Sequence, residues 1–468
     1  MSIETVKMIL YFIEFFFALY LIGYSTILFM SVCMGSSVLY KDMKLKKLKD
    51  KINKNINIPI SILVPAHNEE VTVCDTVKSL LGLDYTNYEI IVIDDGSTDN
   101  TSNSIIEYFN MKKVTKKIDN SLKTSKIIET YETYDYKVNI TLVKKENGGK
   151  ADALNVGINV SNNPYFICMD ADSFLQKDSL INIVRPVLED DLTVAVGGMV
   201  RISNDLEFED GYPTSCKLPK NILACMQVLE YDRTFLGARI MFDKFNGNLI
   251  ISGAFGLFQK EMVIACGGYD RDTMGEDMEL VVKLHTFCRT NLIPYKIKYA
   301  SDAICWSQAP SNLKDLTKQR RRWYLGLFQS MTKHHQLFFN PRYGLISFIS
   351  YLYFLIYELF SPFIELFGIF FTLLFHLFNL VNIRYMIIFY LMYALFGALL
   401  SVTSFFARIY VNNTKVTFID SLKVLLLCFL EITVLRFYLS IIRMFSFIGY
   451  KKKRNNWGSI KRYKMIND

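Results

Sequence analysis

Residues 166–172 read FICMDAD, an apolar run followed by two aspartates on either side of one alanine. A short apolar run bounded by polar residues favours a buried strand. Because side chains alternate along an extended chain, Asp170 and Asp172 are expected on the same side. Carboxylate oxygens suit Mg²⁺ or Mn²⁺ when the metal is held jointly with a diphosphate. The stretch therefore predicts a strand that ends in a metal site.

The chain around this stretch alternates short strand-like runs with helical stretches from residue 58 to about residue 309. This alternation predicts an α/β domain with a parallel sheet that is covered by helices on both faces. Ligands of such sheets bind at the carboxyl ends of the strands. Residues 111–137 are rich in Lys, Thr and Ile without a firm period, and we expect a surface insertion of variable conformation there.

Two further motifs place polar residues after apolar runs. Asp94 and Asp95 end the run of residues 91–95, and paired carboxylates there are costly unless donors satisfy them. A nucleotide base and ribose offer such donors, although a turn that caps a helix accounts for the aspartates equally well. Residues 147–150, NGGK, open a helix, where free N–H groups and Lys150 predict an anion site. Gly-Gly turns before helices are also common.

The last two motifs lie nearer the C-terminus. Residues 274–280, MGEDMEL, begin an amphipathic helix, so Asp277 is either a favourable partner of the helix dipole or a general base. Residues 319–323, QRRRW, precede a long apolar region. By themselves they are typical of a basic juxtamembrane stretch with an aromatic anchor.

Apolar residues make up 51% of the 468 residues and are concentrated at the two ends of the chain. Residues 8–39 are long enough to cross a bilayer, and they are too long for the apolar core of a signal peptide. Lysines follow this segment, and Lys451–Arg454 follow the last one, so both flanks are expected on the cytoplasmic side. The net charge of +8 is explained by these flanks, and nucleic acid is not expected as a partner.

Four C-terminal apolar segments are predicted, because an even number of spans returns the basic tail to the cytoplasmic side. They comprise residues 344–360, 362–382, 385–408 and 420–449. The first two are alternatively one interfacial helix and one span. Arg436 and Arg443 share a helix face in the last segment, and we expect either ion pairs with glutamates or a role along a polymer path.

The order of the motifs resembles that of the family 2 glycosyltransferases, and specifically the processive membrane synthases of cellulose, hyaluronan and poly-N-acetylglucosamine. The resemblance covers residues 58–330 and implies a GT-A domain, an α/β nucleotide-diphospho-sugar transferase fold, inserted on the cytosolic side between transmembrane helices. The expected organisation is listed in chain order: a transmembrane helix (1–40), a basic juxtamembrane linker (41–57), the GT-A domain (58–310), interface helices with QxxRW (311–343), about four transmembrane helices (344–450) and a basic cytosolic tail (451–468).

On the donor side, the resemblance implies that Asp95, with Asp94 beside it, contacts the uracil. Lys150 is implied to approach the nucleotide or its phosphates. Asp170 is implied to face the ribose and the diphosphate, and Asp172 to bind the metal, which is Mg²⁺ or Mn²⁺.

On the acceptor side, the resemblance makes Asp277 the catalytic base. Gln319, Arg322 and Trp323 match QxxRW, in which the arginine is implied to steady the diphosphate and the tryptophan to stack on the acceptor sugar. An acceptor-contacting loop is expected at Gly253, Ala254 and Phe255.

The implied activity is an inverting, processive transfer of a sugar from a UDP-sugar to a growing β-linked polysaccharide in the plasma membrane, together with a role in its export. The loop at Gly253 lacks the cysteine of the cellulose synthases, which favours N-acetylglucosamine as the sugar. The alternatives are a non-processive enzyme that makes a glycolipid and a synthase of a glucose polymer. A membrane scaffold that merely binds nucleotide is a further alternative. The expected partners are the UDP-sugar, a polysaccharide or lipid acceptor, the membrane and an accessory export or regulatory subunit.

Overall fold

The computed structural model describes four stretches of the 468-residue chain, namely residues 3–52, 58–214, 217–411 and 418–449. The end of the predicted linker and the whole predicted basic tail, residues 53–57 and 451–468, lie outside the described residues. The eight cysteines in the described stretches are free thiols.

Twelve strands form a ten-stranded mixed sheet and a separate two-stranded hairpin. In chain order they are β1 (Ile60–Ala66), β2 (Tyr88–Asp95), β3 (Lys112–Val114), β4 (Ile127–Thr133), β5 (Ile140–Lys145), β6 (Tyr165–Cys168), β7 (Ser173–Leu175), β8 (Thr193–Ile202), β9 (Phe208–Glu209), β10 (Tyr212–Pro213), β11 (Gly256–Gln259) and β12 (Lys296–Ser307). The order in the large sheet is β3-β4-β5-β2-β1-β6-β11-β8-β12-β7, and β9 pairs with β10.

The described residues contain α-helices on both sides of this sheet and at both ends of the chain. In chain order they are α1 (Ile3–Ile52), α2 (Val73–Leu81), α3 (Thr101–Tyr108), α4 (Lys150–Val160), α5 (Ser179–Glu189), α6 (Ile222–Arg233), α7 (Arg239–Asp243), α8 (Lys260–Ala265), α9 (Glu276–Thr290), α10 (Leu313–Lys333), α11 (Ser361–Leu377), α12 (Ile383–Val411), α13 (Phe418–Leu430) and α14 (Arg436–Met444). Shorter π-helical or 3₁₀ turns span Thr234–Ala238, His335–Leu337, Pro341–Tyr343, Ile346–Tyr351, Phe354–Leu359, Glu431–Leu435 and Phe445–Phe447.

The centre of the sheet is parallel and buried on both faces. Strands β5, β2, β1 and β6 run parallel to one another, and every residue of β1 and β2 is buried. Ile62 packs into the apolar cluster on one face, whereas Leu63 packs into the cluster on the other. Continuous apolar runs are what strands covered on both faces require. The sheet and its flanking apolar helices confirm the predicted α/β domain of GT-A type.

The predicted surface insertion at residues 111–137 contains two strands that the sequence analysis did not predict. It contributes β3 and β4, which extend the sheet beyond β5 by antiparallel pairing. Residues 127–133 read IIETYET, and their β-branched and aromatic side chains favour a strand. The lysines of this segment lie at the exposed edge, where charge discourages pairing with another chain.

The apolar ends differ from the prediction in two respects. Helix α1 continues without a break through residues 41–52, which had been assigned to a linker. Two C-terminal helices, and not four, are by themselves long and apolar enough to cross a membrane, namely Ile383–Tyr410 and Ser421–Phe447. The segments Ile346–Leu359 and Ser361–Leu377 bend by 49° at residue 360. Pro362 in the first turn of α11 explains why the preceding helix stops there.

The bent pair of helices is compatible with the even number of C-terminal spans that was inferred from the basic flanks. If it lies in the membrane without crossing, two spans remain after the GT-A domain, and an even number still returns the chain to the same side. Together with Met8–Asp42 in α1, the described residues then hold three candidate spans.

Ion pairs account for the charged residues of these helices. Arg436 Nη2 lies 2.5 Å from Glu365 Oε1, and Arg443 Nη1 lies 3.8 Å from Glu358 Oε2. Of the two expectations for these arginines, ion pairing with glutamates is therefore confirmed.

Candidate active site

The carboxyl ends of four parallel strands meet at one edge of the sheet. β2 ends in Asp94 and Asp95, β5 ends in Lys145, and β6 leads into Asp170. Because these strands are parallel neighbours with β1 among them, the polar residues that follow them converge. The antiparallel strand β11 starts at the same edge, so the loop at Gly253 joins the group. The motifs predicted from the sequence therefore share one location.

Asp95 stabilises the Gly-Gly loop, residues 148–149, by accepting hydrogen bonds from its N–H groups. Its Oδ1 accepts hydrogen bonds from the Lys145 ammonium and from the Gly148 N–H at 2.9 Å. Its Oδ2 accepts from the Gly149 N–H at 2.7 Å. The glycine N–H groups that were expected to bind an external anion are thus satisfied by this carboxylate. That part of the anion-site prediction is wrong, because an internal anion occupies the loop.

The backbone of the loop explains why the motif contains glycine. Gly149 has φ +88° and ψ 166°, a combination that essentially only glycine adopts. A side chain at Gly148 would come within 2.4 Å of Asp152 Oδ2. Asp152 is fully buried, and it pairs with Lys145 at 2.8 Å and with Arg271 at 3.0 Å. Burial raises the pKa of Asp152, but Lys145 and Arg271 lower it by more than burial raises it. The pKa of Asp152 therefore lies below its ordinary value.

Asp94 is also used internally. It accepts hydrogen bonds from the Ser97 N–H at 2.8 Å and from the Ser102 hydroxyl, and it is buried like Asp95. The turn that organises a following helix describes the contacts of Asp94, whereas Asp95 binds the Gly-Gly loop instead. Direct contact of Asp94 or Asp95 with a uracil base stays a prediction.

Lys150 lies at the centre of a cluster of acidic and backbone groups. Its Nζ lies 2.5 Å from Asp170 Oδ1, 3.4 Å from Glu276 Oε1 and 3.3 Å from the Gly253 carbonyl oxygen. Burial lowers the pKa of Lys150, but Asp170 and Glu276 raise it more, and the ammonium stays charged. Lys150 is therefore the cation that faces the DxD motif.

Asp277 lies in the first turn of α9, on the other side of Gly253. Its Oδ2 accepts from the Gly253 N–H at 3.2 Å and its Oδ1 from the Met278 N–H at 2.8 Å. Burial first and the adjacent Glu276 second raise the pKa of Asp277, while Lys150 and the two N–H groups oppose the rise. A carboxylate with a raised pKa is a stronger base than an ordinary aspartate, which suits proton abstraction.

The DxD residues differ in accessibility. The Asp170 side chain is 35% exposed, whereas Asp172 is buried. Among the described residues, no group of three His, Cys, Asp or Glu side chains is arranged to hold a metal ion. Two carboxylates nevertheless fit Mg²⁺ or Mn²⁺ in donor chemistry, provided that the substrate phosphates supply the remaining ligands. The site thus fits a metal that arrives with a diphosphate.

The predicted acceptor loop, residues 253–255, lies partly in the candidate site and partly in the hydrophobic core. Gly253 contacts both Lys150 and Asp277 through its backbone. Ala254 is 7% exposed and Phe255 is fully buried, with its ring against Gly198 of β8. The expectation that Phe255 contacts the acceptor is corrected, since its side chain belongs to the core beneath the loop.

Helix α10 carries QxxRW against the start of α9. Gly275 and Gly326 approach so closely that a Cβ on Gly326 would lie 2.7 Å from the Gly275 Cα. The Gln329 side chain adds a hydrogen bond from the Met274 N–H at 2.7 Å. Close approach of this kind requires glycine on both helices. The two contacts place the end of QxxRW beside the loop that presents Asp277.

The QxxRW residues are placed differently along this helix. Trp323 is 40% exposed, and Arg322 is half-buried with no ion pair among the described residues. The Gln319 Oε1 atom is buried and has no hydrogen-bond partner in the described part of the chain. Arg322 and Trp323 are thus partly accessible, and their contacts with diphosphate and acceptor stay predictions.

Four residues of the site region were missed by the sequence analysis. Lys145, Glu276 and Arg320 contact residues that were predicted, and Glu230 contacts Arg320. Glu276 was visible as the neighbour of Asp277 in the GED motif. Lys145 and Glu230 carried no local signal, because their partners lie 50 and 90 residues away in sequence.

Comparison with known proteins identifies the family. The model of the family described as "Glycosyltransferase like family 2" matches residues 58–326, more than half of the chain. The chain belongs to this family. The match includes the strands, the DxD stretch, Asp277 and QxxRW, so the family motifs and the clustered residues coincide.

Curated relatives share the same region of this family 2 glycosyltransferase. It is 33% identical over 268 residues to the poly-β-1,6-N-acetyl-D-glucosamine synthase of Staphylococcus epidermidis, which covers 57% of this chain and 54% of that one. The corresponding synthase of Staphylococcus aureus (strain COL) is 32% identical over 288 residues, covering 60% and 59%. The matched segment spans about half the length of these relatives. A solved mannosyltransferase from Pyrobaculum calidifontis aligns over 90% of this chain and 98% of its own, with 15% identity and a TM-score of 0.49.

Proposed function

We propose that this chain is a membrane-embedded, inverting and processive glycosyltransferase that adds N-acetylglucosamine from a UDP-sugar to a growing β-linked polysaccharide. The observation that carries the proposal is the Asp277 carboxylate, held by the Gly253 N–H beside the Lys150–Asp170 pair. This arrangement puts a base with a raised pKa next to a cation and a DxD motif. The printed names of the curated relatives support N-acetylglucosamine as the sugar.

The donor binds at the carboxyl edge of the sheet. Lys150 supplies a permanent positive charge toward the diphosphate, and the diphosphate then competes with Asp170 and Glu276 for that charge. Asp170 and Asp172 would hold Mg²⁺ or Mn²⁺ together with the phosphates, and a metal held there would supply neutralisation of the charge on the leaving group. Asp95 acts indirectly, because it fixes the loop from which Lys150 projects.

Transfer takes place in one displacement. Asp277 accepts the proton of the acceptor hydroxyl as its oxygen bonds to the anomeric carbon. The bond from that carbon to the diphosphate oxygen breaks, and UDP leaves with the electron pair. Arg322, which has no ion pair among the described residues, stabilises the departing charge. A single displacement inverts the anomeric centre, so an α-linked donor gives a β-linked product.

The acceptor approaches from the side of α10. Trp323 offers a partly exposed aromatic ring on which a sugar stacks, and Gly253 leaves room beside Asp277 because it has no side chain. The arrangement supports repeated addition, since a stacked terminal sugar stays in place while UDP is exchanged for a new donor.

The flanking helices support a membrane location with the GT-A domain on the cytosolic side. Tyr24, Arg233, Tyr393 and Arg436 place polar side chains between α1, α6, α12 and the last helix. Polar side chains at such positions commonly mark a path for polar cargo. We therefore include export of the polymer in the proposal.

The test is a donor screen on the full chain in membrane vesicles with Mg²⁺ or Mn²⁺. UDP release is measured with UDP-N-acetylglucosamine, UDP-glucose and UDP-glucuronic acid, and vesicles that contain Asp277→Asn serve as the control. We expect release with UDP-N-acetylglucosamine in the wild type and none in the variant. Release from none of the donors would overturn the proposal and favour a scaffold that binds nucleotide.

Product length separates the remaining alternatives. A ladder of long products on a gel supports processive synthesis, whereas a single added sugar on a lipid would contradict it. Preference for UDP-glucose would instead identify a glucose-polymer synthase.

A further inference from the structure

The QxxRW helix contains a buried arginine, Arg320, two residues before the half-buried Arg322. Arg320 is 4% exposed, and its two terminal nitrogens donate to the two carboxylate oxygens of Glu230 at 2.6 Å each. A bidentate pair of this kind fixes the plane of the guanidinium as well as its position. Glu230 lies on α6, so the orientation of Arg320 is set by a different helix from its own.

The Arg320 guanidinium also lies over the ring of Trp323, 4.7 Å from the ring centroid. A guanidinium at this distance is attracted to the face of the indole. It therefore restrains an otherwise exposed side chain, which is 40% accessible. The two contacts form a chain that runs from Glu230 through Arg320 to Trp323.

Among the described residues, Glu230 is the only hydrogen-bond acceptor for the Arg320 side chain. The Nε of Arg320 is buried without a hydrogen-bond partner in the described part of the chain. If Glu230 were lost, the guanidinium would be left buried without a hydrogen-bonded counter-charge, and it would be expected to move. The position of Arg320, and with it the support for Trp323, depends on one carboxylate.

Helix α6 is itself anchored to the C-terminal helices. Arg233, one turn after Glu230, donates to both oxygens of Glu431 at 2.6 and 2.9 Å and to the Ser401 hydroxyl at 2.8 Å. The position of Glu230 therefore depends on the apolar helices at the end of the chain as well as on the sheet.

We propose that Glu230 is a positioning residue for acceptor binding: through Arg320 it holds the Trp323 ring in the orientation in which the ring receives the acceptor sugar. The inference rests on the proposed function for the identity of the acceptor. Glu230 touches neither substrate, so its effect falls on the acceptor and leaves the donor site unchanged.

A matched control is available on the same helix. Asp232 is as buried as Arg320 and pairs with Arg408 at 3.2 Å, but that pair makes no contact with Trp323. Asp232→Asn and Glu230→Gln each remove one buried negative charge from α6. A general loss of stability affects both variants, whereas a change at Trp323 affects one.

The experiment uses the purified full chain labelled with 5-fluorotryptophan and observed by ¹⁹F NMR. The chain has three tryptophans, and Trp323→Phe assigns the resonance of interest. We expect Glu230→Gln to shift or broaden the Trp323 resonance and Asp232→Asn to leave it unchanged. This readout needs no donor and no turnover. An unchanged Trp323 resonance in Glu230→Gln would overturn the proposal.

Kinetics with UDP-N-acetylglucosamine and a short β-linked N-acetylglucosamine oligosaccharide provide the second readout. Glu230→Gln is expected to raise the acceptor KM by about tenfold, the loss typical of a charge-assisted hydrogen bond, with the donor KM unchanged. In a Trp323→Ala background the same substitution is expected to add nothing. Equal effects on both KM values, or full additivity with Trp323→Ala, would overturn the positioning role.

The two readouts separate failure of this inference from failure of the proposed function. A wild-type chain that transfers no sugar while its Trp323 resonance still responds to Glu230→Gln would refute the function. The contact chain from Glu230 to Trp323 would be upheld in that case.

Discussion

Two carboxylate regions at the same edge of the sheet have opposite electrostatics. Around the Gly-Gly loop, Asp152 is fully buried but is paired with Lys145 and Arg271, and its pKa lies below the ordinary value. Around the transfer pocket, Asp277 is partly buried beside Glu276, and its pKa is raised. Burial acts in the same direction on both, so the neighbouring charges decide the difference.

The comparison separates structural from chemical roles among similar acids. In the loop, Asp95 and Asp152 are satisfied by buried cations and N–H groups, which makes them part of the framework. In the pocket, two backbone N–H groups leave Asp277 incompletely compensated, which makes it reactive. Two carboxylates whose environments push their pKa values apart are a recognised indication of assigned roles in catalysis.

The largest expected effect is the loss of transfer in Asp277→Asn. Removal of the base should lower the rate of UDP release by about 10³-fold, within the range ascribed to general bases. Binding of UDP-N-acetylglucosamine, measured by calorimetry, should be nearly unchanged, because Asp277 does not hold the donor. A variant that turned over at the wild-type rate would show that the base has been assigned to the wrong residue.

The same variant should not lose stability. A carboxyl whose folded pKa is raised contributes stability below its unfolded pKa, and this contribution is lost as pH rises through the folded pKa. At a pH above this raised pKa the ionised Asp277 is therefore a cost, and the neutral asparagine should leave the unfolding temperature unchanged or raise it. A marked fall in that temperature would contradict the electrostatic difference between the two regions.

The second effect is destabilisation by Asp95→Asn. This change removes an anion from the buried Lys145 and weakens the hold on two glycine N–H groups. Breaking a buried ion pair typically costs about 3 kcal/mol, and we expect the free energy of unfolding to fall by about that amount. Thermal unfolding measures the loss, and Asp191→Asn, in the exposed turn before β8, is the control. An unchanged free energy of unfolding would show that Asp95 does not stabilise the fold and would favour a role in ligand binding alone.

A smaller effect is expected from Gly149→Ala. The space beside Gly149 is open, so the alanine costs backbone strain alone, about 2 kcal/mol for φ +88° with ψ 166°. Chemical denaturation gives the change in stability. Gly267→Ala, at another positive φ with open space but away from the site, should destabilise without weakening nucleotide binding. If both variants bound UDP equally well, the geometry of the Gly149 loop would be irrelevant to the donor.

Local patterns were sufficient for the features that depend on neighbours in sequence. The strand before Asp170, the helix whose first turn contains Asp277 and the α/β alternation were all predicted. Residues 127–133 also held a strand signal, which the lysine-rich context obscured.

Long-range packing decided what the sequence could not predict. Phe255 is buried because Gly198 of a distant strand leaves room for its ring, and nothing near Phe255 in the sequence indicates this. Likewise, Asp95 is neutralised by Lys145 across neighbouring strands, so its use inside the loop was not visible in the DDGS motif. The bend at residue 360 reflects tertiary placement as well as Pro362, and hydropathy alone reported two separate segments.

The most direct test of the central claim is the pH dependence of kcat/KM for UDP release in the wild type and in Glu276→Gln. Asp277 must be ionised to act as a base, so activity should fall as pH decreases through its raised pKa. Glu276→Gln removes the like charge that helps to raise this pKa, and it also frees Lys150 to lower it further. The acid limb should therefore move to lower pH, while Asp272→Asn, an exposed acid five residues before Asp277, should leave the limb in place. An acid limb that is the same in all three proteins would contradict the assignment of Asp277 as the base of this transfer site.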